Sequence, residues 1–257
     1  MTNQIIGLGG GGFTMEPKNP LLDLYILGAA PVKNPKICLL ATASGDNPQY
    51  HYFFETVFSQ YPCRPVTLET FSPTVADMED FLLDCDIIYV GGGNTKSMLA
   101  VWREWGIDLI LKQAYEKGII LAGVSAGFVC WFEQCLTDSI PNKFTAMNCL
   151  GILPGSSCPH YDGQEGRTVA YKSLIKKDIL SSGYAADDGV GLHFVDGKLI
   201  NCVSSRKNVA GYHVYKNNDI IKEDLITPQY LGDDENFKKY IVPQFDRDEP
   251  VLMNEES

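Results

Sequence analysis

The run Gly118-Ile119-Ile120-Leu121-Ala122 passes directly into Gly123-Val124-Ser125-Ala126-Gly127, and that turn into the apolar stretch Phe128-Val129-Cys130-Trp131-Phe132. A buried strand, a turn of small residues around one serine, and a following segment read as a helix leave few folds open. A Gly-x-Ser-x-Gly junction of this kind sits at the carboxyl end of a strand in a sheet covered by helices. The turn is tight enough to exclude side chains on either side of the serine, which Gly123, Ala126 and Gly127 satisfy. The hydroxyl of Ser125 is then left proud at a helix N-terminus, where backbone N–H groups can meet a developing oxyanion. The same pattern also arises in an incidental small-residue turn, so the rest of the chain has to distinguish the two.

The flanking segments repeat that logic. Apolar runs at Gln4–Leu8, Lys36–Ala41, Val66–Leu68 and Asp86–Val90 alternate with stretches of helical spacing at Gln49–Gln60, Ala76–Leu83 and Lys96–Lys117. This predicts a single α/β domain, a mainly parallel twisted sheet flanked by helices. Toward the C-terminus Gly191–Val195, Lys198–Val203 and Gly211–Val214 read as short antiparallel strands, with turns at Asp196-Gly197 and Arg206-Lys207-Asn208. The domain is expected to span residues 1–242, leaving 243–257 as an acidic, frayed tail.

Composition excludes several classes of function. At 257 residues with a net charge of −11, the chain lacks the clustered Lys and Arg that nucleic acid or an anionic membrane would need. Its apolar runs are too short to span a bilayer. With no signal-type segment at the N-terminus, the eight cysteines are expected to be reduced thiols in the cytoplasm. No Cys-x-x-Cys pair exists, and Cys158 with His160 gives little reason to expect zinc.

Three glycine-rich turns fall at strand ends, where open parallel sheets bind ligands. Gly7-Leu8-Gly9-Gly10-Gly11-Gly12 matches a dinucleotide fingerprint literally, but Pro17 and Pro20 follow where a long helix should open. It reads instead as a loop that lets other groups approach closely. Gly91-Gly92-Gly93-Asn94-Thr95 closes a strand and opens a helix. It can donate one N–H to an oxyanion hole with Ala126, or serve simply as a capped connection.

A serine nucleophile needs a base. Of the four histidines, His51, His193 and His213 sit in helix-like or strand-like runs, whereas His160 lies in the polar loop Cys158-Pro159-His160-Tyr161-Asp162-Gly163, a position better suited to chemistry. A third residue must hold the imidazole tautomer. Asp138, Asp187 and Asp188 are the candidates, and spacing does not choose among them.

Taken together, Gly9-Gly10-Gly11-Gly12-Phe13, Ala41-Thr42-Ala43-Ser44-Gly45-Asp46, Gly91–Thr95, Gly123–Gly127 and Pro159-His160-Tyr161 with Glu165-Gly166-Arg167 resemble the peptidase E (aspartyl dipeptidase) and cyanophycinase family of serine peptidases. The resemblance runs in order from about Gly7 to Val195. It implies a class I glutamine amidotransferase-like sheet with serine in place of cysteine. It further implies Ser125 as nucleophile, His160 as base, Gly93 (or Gly92) and Ala126 as oxyanion donors, and Asp138 or Asp188 as the acidic partner. Arg167 matches the arginine that binds the substrate's N-terminal aspartate. No metal or organic cofactor enters that chemistry, and the implied partner is a small peptide. Alternatives are a cyanophycinase-like isoaspartyl peptidase, an α/β-hydrolase-type esterase with His213 as base, and a non-catalytic binding member of the fold.

Overall fold

Strands β1 (Gln4–Leu8), β2 (Lys36–Leu40), β3 (Arg64–Leu68), β4 (Ile87–Val90) and β5 (Ile120–Val124) form the parallel half of the molecule. The computed structural model describes residues 2–238, so the expected tail at 243–257 and the boundary at 242 lie outside the described residues. β1, β2, β4 and β5 are buried almost throughout. This is why they read as near-continuous apolar runs rather than alternating ones.

Successive residues still serve opposite faces. Ile5, Cys38, Leu40, Ile88, Val90 and Leu121 belong to one core, and Ile6, Ile37, Leu39, Tyr89 and Ala122 to the other. The first core is covered by α4 (Met78–Leu83), α5 (Thr95–Trp105) and α6 (Ile107–Glu116), the second by α1 (Gly12–Met15), α2 (Leu21–Gly28) and α3 (Pro48–Phe58). The periodicity that predicts one helix over Lys96–Lys117 is split in the structure, because Gly106 takes a left-handed φ of 72° that ends α5 and starts α6.

After β5 the chain makes a single helical turn, α7 (Ala126–Val129), and enters β6 (Phe132–Ile140). The helix expected over Phe128–Phe132 is therefore cut short. Every residue from Phe128 to Phe132 is buried, and a run buried on all sides carries no period to separate helix from strand. β6 begins a second sheet, with β7 (Lys143–Asn148), β8 (Leu153–Cys158), α8 (Arg167–Lys176) packed on it, and β9 (Gly183–Ala186). The chain returns to the first sheet through β10 (Val190–Val195) and β11 (Lys198–Ser204), then forms β12 (Gly211–Asn217) and β13 (Ile220–Ile226) in the second. It closes with β14 (Gln229–Tyr230) and α9 (Glu235–Lys238).

The sheet orders are β14-β11-β10-β1-β5-β4-β2-β3 and β13-β12-β9-β8-β6-β7. β10 and β11 form the expected antiparallel hairpin, its Asp196-Gly197 turn at φ 48° and 76° as a two-residue primed turn requires. The fold is thus mixed α/β, with a second sheet that the polar, irregular strands β6 to β8 did not announce. Among the described residues no helix is long and apolar enough to cross a membrane.

This topology fixes where ligands can bind. β4, β5 and β1 are parallel neighbours, pairing Val90 with Gly123 and Gly7 with Gly123. Their three glycine-rich turns therefore lie side by side along one sheet edge. β10 runs antiparallel to β1, so the residues that precede it reach the same edge.

Candidate active site

Ser125 caps α7 at φ 56° and ψ −107°, a backbone geometry that costs a non-glycine residue about 1–3 kcal/mol. The surroundings leave it no alternative. Ser125 N–H donates to Leu8 C=O at 3.0 Å. Any side chain at Gly123 or Gly127 would press a Cβ to 2.6 Å or 2.0 Å from Val90 O. Behind the turn, the Phe128 ring fills the space that a Cβ on Gly7 would occupy.

His160 and Asp188 arrive from the second sheet. They follow the ends of β8 and β9, which are parallel neighbours pairing Cys158 with Ala185. Three backbone bonds seat both loops on the glycine-rich turn after β1 and on each other. His160 N–H donates to Gly9 C=O at 3.1 Å, Gly189 N–H to Gly10 C=O at 3.1 Å, and Tyr161 N–H to Ala186 C=O at 3.1 Å. His160 is itself held at a positive φ of 50°. A Cβ on Gly10 would lie 1.9 Å from Asp188 Oδ1 and 3.0 Å from His160 Nδ1. The glycines at 9 and 10 are therefore there for the close approach of these two loops, not for a nucleotide.

The resulting geometry is a relay of three side chains. Ser125 Oγ lies 2.8 Å from His160 Nε2, and His160 Nδ1 lies 2.6 Å from Asp188 Oδ1. A carboxylate only accepts, so Nδ1–H donates to Asp188 and Nε2 is left to accept from the Ser125 hydroxyl. Asp188 N–H donates to Asp162 Oδ1 at 2.9 Å, which holds the loop. Both His160 and Asp188 side chains are mostly buried, at 23 % and 17 % exposure.

Other candidates are placed elsewhere. Asp138 is not the imidazole's partner: its Oδ2 accepts from Arg167 Nη2 at 2.7 Å. Asp187 turns away to accept from Ala210 N–H at 2.8 Å and Tyr212 O–H at 3.3 Å, and burial pushes its carboxyl up to about 6. His213 stacks on Tyr215 and packs against Tyr184, His193 contacts Tyr25 and Gln4, and His51 faces Glu69. Arg167 is buried to 2 % exposure, bonded to Gln164 and Asp138 and lying over the Phe144 ring.

The two proposed oxyanion donors from the β4 turn also separate. The Gly92 N–H is already committed to the Tyr50 hydroxyl at 3.0 Å, so it is not open to a ligand. Gly93 N–H and Ala126 N–H find no acceptor among the described residues. No signal in the spacing pointed to Tyr50, which reads only as part of the aromatic run on α3. Among the described residues no group of three or more His, Cys, Asp or Glu side chains is arranged to hold a metal ion.

The sequence profile of peptidase family S51 matches residues 5–202, which takes in every residue of this constellation. The chain belongs to peptidase family S51. Among the relatives of this S51 chain is a Bacillus subtilis (strain 168) protein described as the uncharacterized peptidase YgaJ. It is 47 % identical over 229 residues, covering 89 % of this chain and 99 % of its own length. Peptidase E of Shewanella amazonensis is 30 % identical over 136 residues, covering 48 % of this chain and 57 % of its own. The crystal structure of a peptidase from an acI-B1 Actinobacterium superposes with a TM-score of 0.63 at 15 % identity, over 89 % of this chain and 95 % of that one. At that identity the likeness is one of fold.

Proposed function

We propose that this S51 protein is a serine-type peptidase that cleaves small peptides through an acyl-enzyme on Ser125. One observation carries the reading. Ser125 Oγ, the two ring nitrogens of His160 and Asp188 Oδ1 are joined in succession at 2.8 Å and 2.6 Å, with the serine held in a strained turn beside two unengaged backbone donors. In the proposed reaction His160 Nε2 takes the proton from Ser125 Oγ as that oxygen attacks the peptide carbonyl. The Gly93 and Ala126 N–H groups receive the oxyanion, and the protonated imidazole passes its proton to the leaving amine. A water molecule, deprotonated by the same His160 nitrogen, then releases the acyl group. Asp188 holds the tautomer and supports the imidazolium.

For the substrate we propose dipeptides with an N-terminal aspartate, recognised by Arg167. Its guanidinium already meets one carboxylate, that of the half-exposed Asp138, through Nη2 alone, and a planar guanidinium suits a substrate carboxylate. The eight cysteines among the described residues are all unpaired thiols, which supports the proposed cytoplasmic setting. The test is hydrolysis of Asp-X, Glu-X, Asn-X and Ala-X dipeptides by the wild type and by Ser125→Ala. Selective Asp-X cleavage that disappears in the variant is the expected result. Cleavage of Ala-X as fast as Asp-X would remove the role given to Arg167, and cleavage surviving Ser125→Ala would remove the mechanism.

A further inference from the structure

Behind the turn after β4 stands Tyr50, and its position answers a question that the Ser125 constellation leaves open, namely what aims that turn at the nucleophile. The loop's amides are accounted for one by one. Gly91 N–H donates to Leu40 C=O at 3.0 Å and Asn94 N–H to Ala43 C=O at 2.8 Å, while Gly92 N–H donates to the Tyr50 hydroxyl at 3.0 Å. Only Gly93 N–H remains. Asn94 adds a second tether, its Nδ2 donating to Ser139 C=O at 3.0 Å. Two of the three acceptors that anchor the loop's amides are backbone carbonyls of the β2 strand and the turn after it. The third is a side chain, and therefore the one that substitution can remove.

The contact is tight and directional. A Cβ on Gly91 would sit 2.9 Å from the Tyr50 hydroxyl oxygen and 3.0 Å from Cζ, so the ring lies directly over the Gly91 Cα. On its other side the ring meets Phe13 edge-on, with centroids 5.5 Å apart. Gly92 in turn lies against the nucleophile, since a Cβ there would be 3.5 Å from Ser125 Cβ. The Gly91–Gly92 peptide is thus held by Tyr50, with Gly92 within van der Waals reach of Ser125. Gly93, at φ 138°, has the conformational freedom to turn its N–H the wrong way if that restraint is lost.

We propose that Tyr50 is a positioning residue for the acyl-transfer reaction. By accepting from Gly92 N–H it withdraws that amide from the site and presents the Gly93 N–H to the oxyanion instead. The inference rests on the serine-peptidase reading above. It assigns the two β4-turn amides different tasks, Gly92 structural and Gly93 chemical.

The test uses a fluorophosphonate, which phosphonylates a serine through a transition state that places a developing anion in the same hole, so no peptide substrate is needed. Tyr50→Phe keeps the ring against Phe13 and removes the hydroxyl, with its contacts to Gly92 N–H and to the Thr14 side chain. The second-order labelling rate is expected to fall about tenfold, less than the 10²–10³ that outright loss of an oxyanion donor costs. The melting temperature should stay close to wild type, and so should the pH at which labelling reaches half its plateau. Gly91→Ala, which displaces the hydroxyl from the opposite side, is expected to lower the labelling rate in the same way. On any cleaved dipeptide, Tyr50→Phe should lower kcat while leaving KM unchanged, a split that a general loosening of the fold would not give. Labelling of Tyr50→Phe at the wild-type rate overturns the proposal while leaving the serine mechanism intact. Failure of the wild type to label at all removes the serine mechanism itself, and the proposal with it.

Discussion

Replacing Asp188 with asparagine isolates the contribution of the acid while changing almost no volume. The 2.6 Å contact between His160 Nδ1 and Asp188 Oδ1 is largely sheltered from water, with the two side chains at 23 % and 17 % exposure, so its charge is poorly screened. The introduced amide can face the ring in two ways. With its nitrogen inward, the Nδ1 proton must move to Nε2, and Ser125 Oγ loses its base. With its oxygen inward the tautomer survives, but the developing imidazolium loses its counter-charge. The first outcome costs about 10⁴ in rate in a comparable serine peptidase, roughly 5 kcal/mol of transition-state stabilisation. The Asp162 contact to the backbone N–H of this position is untouched by the change, so the loop should hold its place. The expected result is a fall of 10²–10⁴, about the range between the two orientations, in fluorophosphonate labelling and in dipeptide kcat/KM at unchanged melting temperature. Asp138→Asn is the paired control. Its carboxylate is half exposed and bonded to the buried Arg167 rather than to His160, so labelling should fall by less than about tenfold, far short of the roughly 10⁴ that loss of the acid costs. A larger loss for Asp138→Asn than for Asp188→Asn would refute the assignment of the acid.

Two further perturbations test different parts of the structure. Gly10→Ala would drive a Cβ to 1.9 Å from Asp188 Oδ1. Labelling should therefore fall about as far as in Asp188→Asn, roughly 10³-fold or more, and near-wild-type labelling would mean that the turn after β1 does not constrain the pair. Asp23 is fully buried, and burial pushes its carboxyl from 3.8 up to about 8. Between those values the unfolded chain has lost a proton that the folded chain keeps, so folding stability should fall as pH rises, by at most about 1.4 kcal/mol per pH unit. Urea unfolding between pH 5 and pH 8, values chosen as roughly spanning that window, should show Asp23→Asn with the flatter pH dependence, and parallel curves would refute the neutral carboxyl.

Much of this molecule was decided locally. The alternation of buried strands with capped helices, the small-residue turn around Ser125, the Asp196-Gly197 hairpin and the loop setting of His160 follow from residue size, backbone freedom and hydrophobic period, all of which act between neighbours in the chain. The break at Gly106 and the early end of the helix within Phe128–Phe132 did not, because a glycine inside a periodic segment and a run buried on every side are compatible with more than one local structure. The acid could not be chosen among Asp138, Asp187 and Asp188 for a different reason. Its partner lies 28 residues away in sequence and reaches it only because β8 and β9 are adjacent in a sheet that the sequence pattern did not reveal. Tyr50 is the extreme case, one member of an aromatic helix whose hydroxyl meets Gly92, 42 residues on. Which side chains could do chemistry was written in their types and local turns. Which of them meet was decided by strand order, because hydrogen-bond distances between remote residues are set by how the sheets assemble and leave no trace in spacing along the chain.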